Sequence, residues 1–424
     1  MNYFKHNDNE WFVESVSLNH IAAAVGTPCY VYSKQAVIDN WHAFDRAFNN
    51  YPHQINYAVK ANSNLAILNL FTSLNSGFDI VSMGELRRVL ATNCNPEKII
   101  FSGVGKSTAE LTYALKIGIG CINVESGSEL IRINNLAIEL NIIANIAFRV
   151  NPDVDAKSHP YISTGLKENK FGVSMLEAKD LYLMASTLPA INIKGVAFHI
   201  GSQITSLSPF LDAIDKILVL IHDLKKINII LEHINIGGGL GVVYQKELLP
   251  TIQEYIQALM RKLKVTNLQV YIEPGRAMVA NAGILLTKVE YIKKIQSDNK
   301  SINSIEKYFA IVDAAMNDLL RPSLYNSWHD VINVNIKSNK VLLNLYDIVG
   351  PICETGDFLA KDRYLALEAH DLLMVCTAGA YGFSMSSNYN SRPKPAEVMV
   401  DRNAFQVVRE RESFEELFRL ETIF

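Results

Sequence analysis

The sequence predicts an α/β fold, a closed (β/α)8 TIM barrel followed by a mostly antiparallel β domain. Short apolar segments alternate with amphipathic helical segments over about 250 residues, which favours a closed barrel over an open sheet. Beyond Gly275 the helical pattern gives way to short segments of alternating polarity, which indicate antiparallel strands. The length of 424 residues suits two domains rather than one.

Eight segments have the apolar character expected of barrel strands, and most of them are separated by helical patterns. They are 55–60, 77–81, 98–102, 119–124, 145–150, 193–200, 231–236 and 269–273. A further strand at Cys29–Tyr32 and a helix at 34–48 precede them. The loop 151–171 is long and contains two prolines, so it is a candidate lid.

Composition narrows the class of protein. Hydrophobic residues make up 49% and charged residues 20%, so the chain can bury full cores. The net charge of -3 gives no reason to expect a nucleic-acid or membrane partner. No signal peptide or spanning segment is predicted. The five cysteines have no metal-ligand spacing, so no metal site is predicted, and reduced thiols suit a cytoplasmic protein.

A lysine ends the first predicted barrel strand. Apolar side chains alternate through Ile55, Tyr57 and Val59, as in a buried strand. Lys60 follows, and a polar turn leads to an amphipathic helix at Leu65. The carboxyl ends of parallel strands are where α/β enzymes keep their chemistry. Lys60 is therefore either a surface lysine with a packed stem or a Schiff-base lysine that carries pyridoxal phosphate.

The last predicted barrel strand ends in a carboxylate. Glu273 is followed by Pro274, Gly275 and Arg276. A carboxylate here can hydrogen-bond a pyridine nitrogen and keep it protonated, which makes the ring an electron sink. An ordinary ion pair between Glu273 and Arg276 is the alternative.

Two neighbouring strands end in segments that suit a phosphate and a planar ring. The segment Gly237–Gly241 can expose backbone N–H groups to a phosphate, although a plain turn is the alternative. Its position in the penultimate barrel unit favours the phosphate. His199 could stack on a cofactor or be a structural histidine, and Ser202 could bond the phosphate.

The second domain carries three polar motifs. Cys353 and Glu354 are adjacent in a turn-rich segment, where the thiol is either a proton donor or a small apolar filler. Arg321 could bind a carboxylate, with Tyr325 one helical turn later. Tyr381 stands in a turn of small residues and is either a site residue or a core aromatic.

Together these motifs resemble those of the fold-type III pyridoxal-phosphate decarboxylases, which act on diaminopimelate, ornithine, arginine or carboxynorspermidine. The segments that carry the resemblance cover nearly the whole chain: 57–62, 78–85, 199–203, 237–241, 273–276, 321–325, 350–357 and 379–390. The sequence Gly-Pro-Ile-Cys-Glu-Thr-Gly-Asp at 350–357 is most similar to the diaminopimelate branch. Diamine-producing relatives usually lack its Cys-Glu pair.

The resemblance implies a barrel of alanine-racemase type at 29–278 and a β domain at 279–424 that also packs residues 1–28. It implies a homodimer with active sites at the subunit interface. Lys60 would hold pyridoxal 5'-phosphate and Glu273 would pair with the ring nitrogen. The other implied cofactor contacts are His199, Ser202, Gly238, Gly275, Arg276 and Tyr381, and Asp79, Glu85 and Arg149 match further positions around the cofactor.

The resemblance also implies a substrate site and a reaction. Arg276, Arg321, Tyr325, Glu354 and Tyr381 would bind the substrate, and Cys353, from the partner subunit like Glu354, would donate a proton. The implied reaction is decarboxylation of meso-2,6-diaminopimelate to L-lysine, the last step of lysine biosynthesis. The alternative is a relative acting on ornithine, arginine or carboxynorspermidine, whose substrates need no distal carboxylate clamp. An inactive binding protein and a racemase fit the motifs less well.

Overall fold

The computed structural model describes residues 3–7, 9–155, 169–294, 306–335 and 342–424. Within this part of the chain, contacts divide the residues into two compact units. The barrel unit comprises residues 38–242 and 248–278. The β unit comprises the described residues up to 37, together with 243–247 and 279–424. Among the described helices, none is both long enough and apolar enough to cross a bilayer.

Eight parallel strands close into a barrel, which confirms the predicted fold class. They are His53–Ala58, Gly77–Ile80, Ile99–Phe101, Cys121–Val124, Ala144–Asn151, Ile191–Ala197, His233–Asn235 and Gln269–Ile272. Each pairs with the next, and the last strand pairs with the first through Val270 beside His53 and Ile272 beside Ile55. A short strand, Val173–Ser174, pairs in parallel with the end of the fifth barrel strand.

Helices precede, connect and follow the barrel strands, and side-chain caps set where several of them begin. Their bounds are Lys34–Ala47, Leu65–Ser73, Met83–Leu90, Thr108–Ile117, Gly127–Glu139, Met175–Thr187, Ser208–Lys226, Ile252–Leu263 and Arg276–Val279. Ser107 caps one helix and Glu110 reaches back to it, a reciprocal pair that satisfies backbone N–H groups at the first turn. These fixed helix starts define the loops that follow the strands.

The β unit contains a small antiparallel sheet and a larger mixed sheet. The small sheet comprises Phe4–Asn7, Glu10–Val13 and Val16–Ser17. The mixed sheet comprises Cys29–Ser33, Gly283–Lys294, Lys307–Val312, Val331–Asn333, Asn344–Val349, Phe358–Leu365, Leu372–Val375, Ala396–Asp401 and Ala404–Arg409. The helices of the β unit are Leu18–Val25, Arg321–Tyr325 and Phe414–Phe418. Among the described pairings, only two are parallel, Lys307–Val312 with Asn344–Val349 and Cys29–Ser33 with Ala396–Asp401.

The strand Cys29–Ser33 belongs to the mixed sheet of the β unit. It lies between Gly283–Lys294 and Ala396–Asp401, and Val31 packs in the core of the β unit. The sequence places the start of the barrel domain at residue 29, whereas contacts group residues 29–37 with the β unit. The difference arises because a buried strand followed by a helix has the same local pattern in a barrel and at the edge of another domain.

Candidate active site

A cavity of about 440 Å³ opens where the barrel strands end. Three of the residues predicted for the site line it, namely Lys60, His199 and Glu273. Asp79 and Arg149 line it as well. The carboxyl ends of five different strands thus bring their polar groups together, as expected for a barrel whose strands all point the same way.

Lys60 lies just beyond its strand. The strand ends at Ala58, and Val59–Ala61 form one turn of 3-10 helix, where the sequence predicts strand through residue 60. The Lys60 Nζ atom donates to Asp79 Oδ2 at 3.0 Å. The lysine side chain is 42% exposed, whereas that of Asp79 is 1% exposed. The amine therefore reaches the cavity while its counter-ion is fixed in the wall.

Glu273 is oriented by a neighbouring strand. Asn235, fully buried, donates from Nδ2 to Glu273 Oε1 at 2.6 Å and accepts from the Gly237 N–H at 3.0 Å. Burial, and then the charge of Asp79, raise the pKa of Glu273 to about 8. Asn235 is absent from the sequence-based site. The sequence feature that could have identified Asn235 is its position in the strand, two residues before the glycines and on the same face as His233.

His199 is held as a neutral ring. Its Nδ1 accepts from the Gly238 N–H at 3.2 Å, which leaves the other ring nitrogen to carry the proton. Burial lowers the pKa of His199 well below its usual value, and the charges of Arg149 and Lys60 lower it further. A neutral, fixed imidazole beside the cavity suits ring stacking better than proton transfer near pH 7.

The glycine segment fits closely between two strand ends. A Cβ on Gly238 would lie 2.2 Å from the Glu273 carbonyl oxygen, and one on Gly237 would lie 2.6 Å from that of Phe198. Gly237 also has a φ of +69°, which only glycine adopts freely. Nearby, Arg276 Nη2 donates to Ser202 Oγ at 3.2 Å. The residues predicted for phosphate binding are therefore packed against those predicted for the ring.

Gly275 and Glu85 complete the set of predicted residues in the barrel unit. A Cβ on Gly275 would come within 3.1 Å of the side chains of Ala58 and Ala61, so glycine lets the last strand end approach the Lys60 turn. Glu85 accepts from the Val81 N–H at 2.8 Å. Burial raises the pKa of Glu85 to about 7.

In the β unit, Arg321 lies among aromatic rings. Its guanidinium carbon is 5.1 Å from the ring centre of Tyr244 and 5.9 Å from that of Tyr325. Its Nη2 donates to Ser327 Oγ at 3.1 Å. The predicted helical turn between Arg321 and Tyr325 is present as the helix Arg321–Tyr325. Tyr244, three residues after the glycine segment, is not part of the site predicted from the sequence, because no local sequence pattern indicates that it contacts Arg321.

Cys353 and Glu354 are exposed in a turn of the β unit. The Cys353 N–H donates to Asn390 Oδ1 at 3.0 Å, and the Tyr389 hydroxyl donates to Glu354 Oε1 in a short hydrogen bond. Tyr381 has a φ of +55° in its turn and is half-buried. The end of the segment 379–390, which carries part of the resemblance, thus contacts the Cys-Glu pair directly.

Known proteins with similar sequences cover the whole chain. Residues 34–280 match the family described as "Pyridoxal-dependent decarboxylase, pyridoxal binding domain". A diaminopimelate decarboxylase of Vibrio cholerae is 52% identical, over 100% of this chain and 99% of the relative. One of Haemophilus influenzae is 50% identical, over 100% of both chains.

Solved structures agree with the sequence relatives. The diaminopimelate decarboxylase of Helicobacter pylori, crystallised with L-lysine, has a TM-score of 0.89 and 42% identity, over 95% of this chain and 98% of that one. That of M. jannaschii, also with L-lysine, has a TM-score of 0.92 and 36% identity, over 100% and 98%. The chain therefore belongs to the diaminopimelate decarboxylase family of pyridoxal-dependent decarboxylases, and its cofactor is pyridoxal 5'-phosphate.

Proposed function

We propose that the enzyme decarboxylates meso-2,6-diaminopimelate to L-lysine and carbon dioxide, the last step of lysine biosynthesis. The observation that carries the proposal is the Lys60 amine, 3.0 Å from Asp79 in the same cavity as His199 and Glu273. The names of the full-length relatives, and the lysine in two similar structures, support this substrate class.

The barrel residues fit pyridoxal phosphate. Among the described residues, Asp79 Oδ1 is buried without a hydrogen-bond partner, and the glycine segment leaves no room for side chains. Lys60 would hold the cofactor covalently, Glu273 would face the ring nitrogen and His199 the ring face. The remaining proposed cofactor contacts are Ser202, Gly238, Gly275, Arg276 and Tyr381. When bound, the cofactor supplies the electron sink that accepts the pair left by departing carbon dioxide.

The carboxyl groups of Glu273 and Asp79 determine the protonation and the position of groups around the cofactor site. In the cofactor-free protein, burial and then the charge of Asp79 raise the pKa of Glu273 to about 8, so this carboxyl group keeps its proton near neutral pH. A positively charged ring nitrogen beside Glu273 would favour its ionised form. Asp79 would keep the Lys60 amine positioned at the cavity wall. The Cys353 thiol would return a proton to the reacting carbon after carbon dioxide has left.

The charged groups of the β unit suit the far end of the substrate, which carries a carboxylate and an ammonium. Arg321, with Tyr325, would bind the carboxylate, and Arg276 would contribute from the barrel unit. Glu354 would bind the ammonium, and Tyr381 would contact substrate and cofactor. We propose a homodimer in which Cys353 and Glu354 are supplied by the partner subunit.

The test is carbon dioxide release from a panel of amino acids, with and without added cofactor. We expect cofactor-dependent release from meso-diaminopimelate and little from ornithine, arginine or carboxynorspermidine. Arg321→Ala should reduce turnover of diaminopimelate by about 10- to 100-fold, since a charged hydrogen bond to the distal carboxylate is lost. Preferred release from a substrate without a distal carboxylate would contradict the proposal.

We also propose that the enzyme acts in the cytoplasm. All five cysteines are free thiols, and four of them are buried. Buried free thiols are typical of proteins that fold in a reducing compartment. Fractionation of cells that express the protein, followed by detection of its activity in each fraction, tests this assignment.

A further inference from the structure

Glu125 follows the fourth barrel strand and accepts hydrogen bonds from three separate segments near the cavity. Its Oε1 accepts from the Gly103 N–H at 3.1 Å and from Arg149 Nη1 at 3.2 Å. Its Oε2 accepts from the Gly172 N–H at 2.7 Å. The glutamate side chain is only 3% exposed. Of these three donors, Gly103 and Arg149 line the cavity, and Gly172 follows the lining residue Phe171.

Each of the three donors belongs to an element that shapes the cavity. Gly103 and Arg149 line the cavity, and so does Phe171, which precedes Gly172. The Arg149 guanidinium lies over the Phe171 ring, with 4.7 Å between its central carbon and the ring centre. Glu125 itself is not among the lining residues. It thus acts on the cavity through other residues.

The backbone conformation and packing at position 172 require glycine. Its φ is +72°, and a Cβ would lie 2.8 Å from the Arg149 carbonyl oxygen. The Gly172 N–H is thus held by Glu125 while its Cα packs on the backbone of Arg149. Both the side chain and the backbone of Arg149 are consequently tied to the same short segment.

A second carboxylate nearby offers a matched comparison. Glu129 accepts from the Glu125 N–H at 2.7 Å and from Lys106 Nζ at 2.8 Å. Lys106 in turn donates to the Gly103 carbonyl at 2.7 Å. Glu129 therefore supports the same corner of the barrel, but within the described part of the chain its carboxylate binds Lys106 and the Glu125 backbone rather than Arg149 or Gly172.

We propose that Glu125 is a positioning residue for the cofactor site: its carboxylate holds Arg149 and the Gly103 and Gly172 segments in the arrangement that accepts pyridoxal phosphate. The effect on turnover rests on the proposed function, whereas the effect on cofactor binding and loop order does not. If the charge of this buried carboxylate were lost, each of its three donors would be poorly satisfied. The carboxylate therefore stabilises the arrangement of the elements that carry these donors.

The test compares Glu125→Gln with Glu129→Gln. For Glu125→Gln, we expect the Kd for pyridoxal phosphate, followed by its absorption band, to rise by roughly 10- to 100-fold. In the cofactor-free protein, amide hydrogen exchange at Gly172 should become faster. For Glu129→Gln, the Kd should stay within about threefold of wild type, with Gly172 exchange unchanged.

Wild-type Kd or unchanged Gly172 exchange in Glu125→Gln would overturn the proposal, as would equal effects in the two variants. Should Glu125→Gln not fold, Glu125→Asp keeps the charge but shortens its reach, and the same two measurements apply. Wild-type protein that binds the cofactor yet releases no carbon dioxide from meso-diaminopimelate would refute the proposed function while leaving both measurements on Glu125 interpretable.

Discussion

The two units hold their polar groups in different ways. In the barrel unit, Asp79 is buried and Glu273 is fixed by Asn235, so the groups that face the cavity are preorganised. In the β unit, Cys353 and Glu354 are exposed on a turn. Groups in a buried network keep one geometry, whereas exposed groups gain a defined environment only when something covers them. This contrast matches the proposed division between cofactor chemistry and substrate recognition.

Removal of the Lys60 amine should give the largest effect. We expect Lys60→Ala to lose activity by about 10⁴-fold, because neither the covalent attachment of the cofactor nor its release to the substrate can occur. Lys60→Arg keeps a cation beside Asp79 and serves as the control for charge. Both variants should lack the absorption band of the covalently bound cofactor. Substantial turnover in either variant would show that the reaction does not take place in the barrel cavity.

Asn235 tests whether preorganisation in the barrel matters. Asn235→Ala removes the bond to Glu273 and leaves the Gly237 N–H without its acceptor. We expect kcat to fall by roughly 10- to 100-fold with a smaller change in KM. Asn192→Ala is a matched control, since Asn192 bonds Asn145 at the start of its strand. Equal losses in both variants would show a general loss of barrel stability instead.

The stability of the cofactor-free protein should depend on the buried carboxylates of the barrel unit. Burial raises the pKa values of Glu85 to about 7 and Glu273 to about 8, so these two groups bind more protons in the folded state than in the unfolded state between about pH 5 and 8. Their contribution to the free energy of unfolding should therefore decrease as pH rises from about 5 to 8. Each group can contribute at most about 1.4 kcal/mol per pH unit.

Urea unfolding at pH 5.5 and pH 8 measures this effect. Glu273→Gln should show a smaller loss of stability between the two pH values than wild type, because one titrating group is gone. Glu177→Gln is the control, since hydrogen bonds from Ser174 lower the pKa of that exposed carboxylate. A pH dependence that is the same in Glu273→Gln and wild type would show that Glu273 does not carry the expected shift.

The smallest effect is expected in the exposed turn of the β unit. Tyr389→Phe removes the hydroxyl that donates to Glu354. Because both groups are exposed and water can replace the bond, we expect KM for diaminopimelate to rise only about two- to fivefold, with kcat nearly unchanged. A loss as large as that of Asn235→Ala would mean that the turn is as tightly organised as the barrel. Initial rates over a range of substrate concentrations decide between these outcomes.

Local sequence was enough for much of the fold. Every predicted barrel strand overlaps an observed one, because alternating apolar residues and polar turns are local signals. The motif residues Lys60, His199 and Glu273 could also be identified from the sequence, since each lies within two residues of a strand end. The roles proposed for the site residues remain predictions, and the measurements above address them.

What local sequence could not supply was the set of long-range neighbours. Asn235 reaches Glu273 across 38 positions, and Glu125 reaches Gly172 across 47. Tyr244 and Arg321 are farther apart still, and Cys29–Ser33 joins a sheet whose other strands come more than 200 residues later. Sequence patterns determine which face of a strand is buried and where a turn begins. Only the folded chain decides which turns meet, because that depends on strand order and on packing between distant elements.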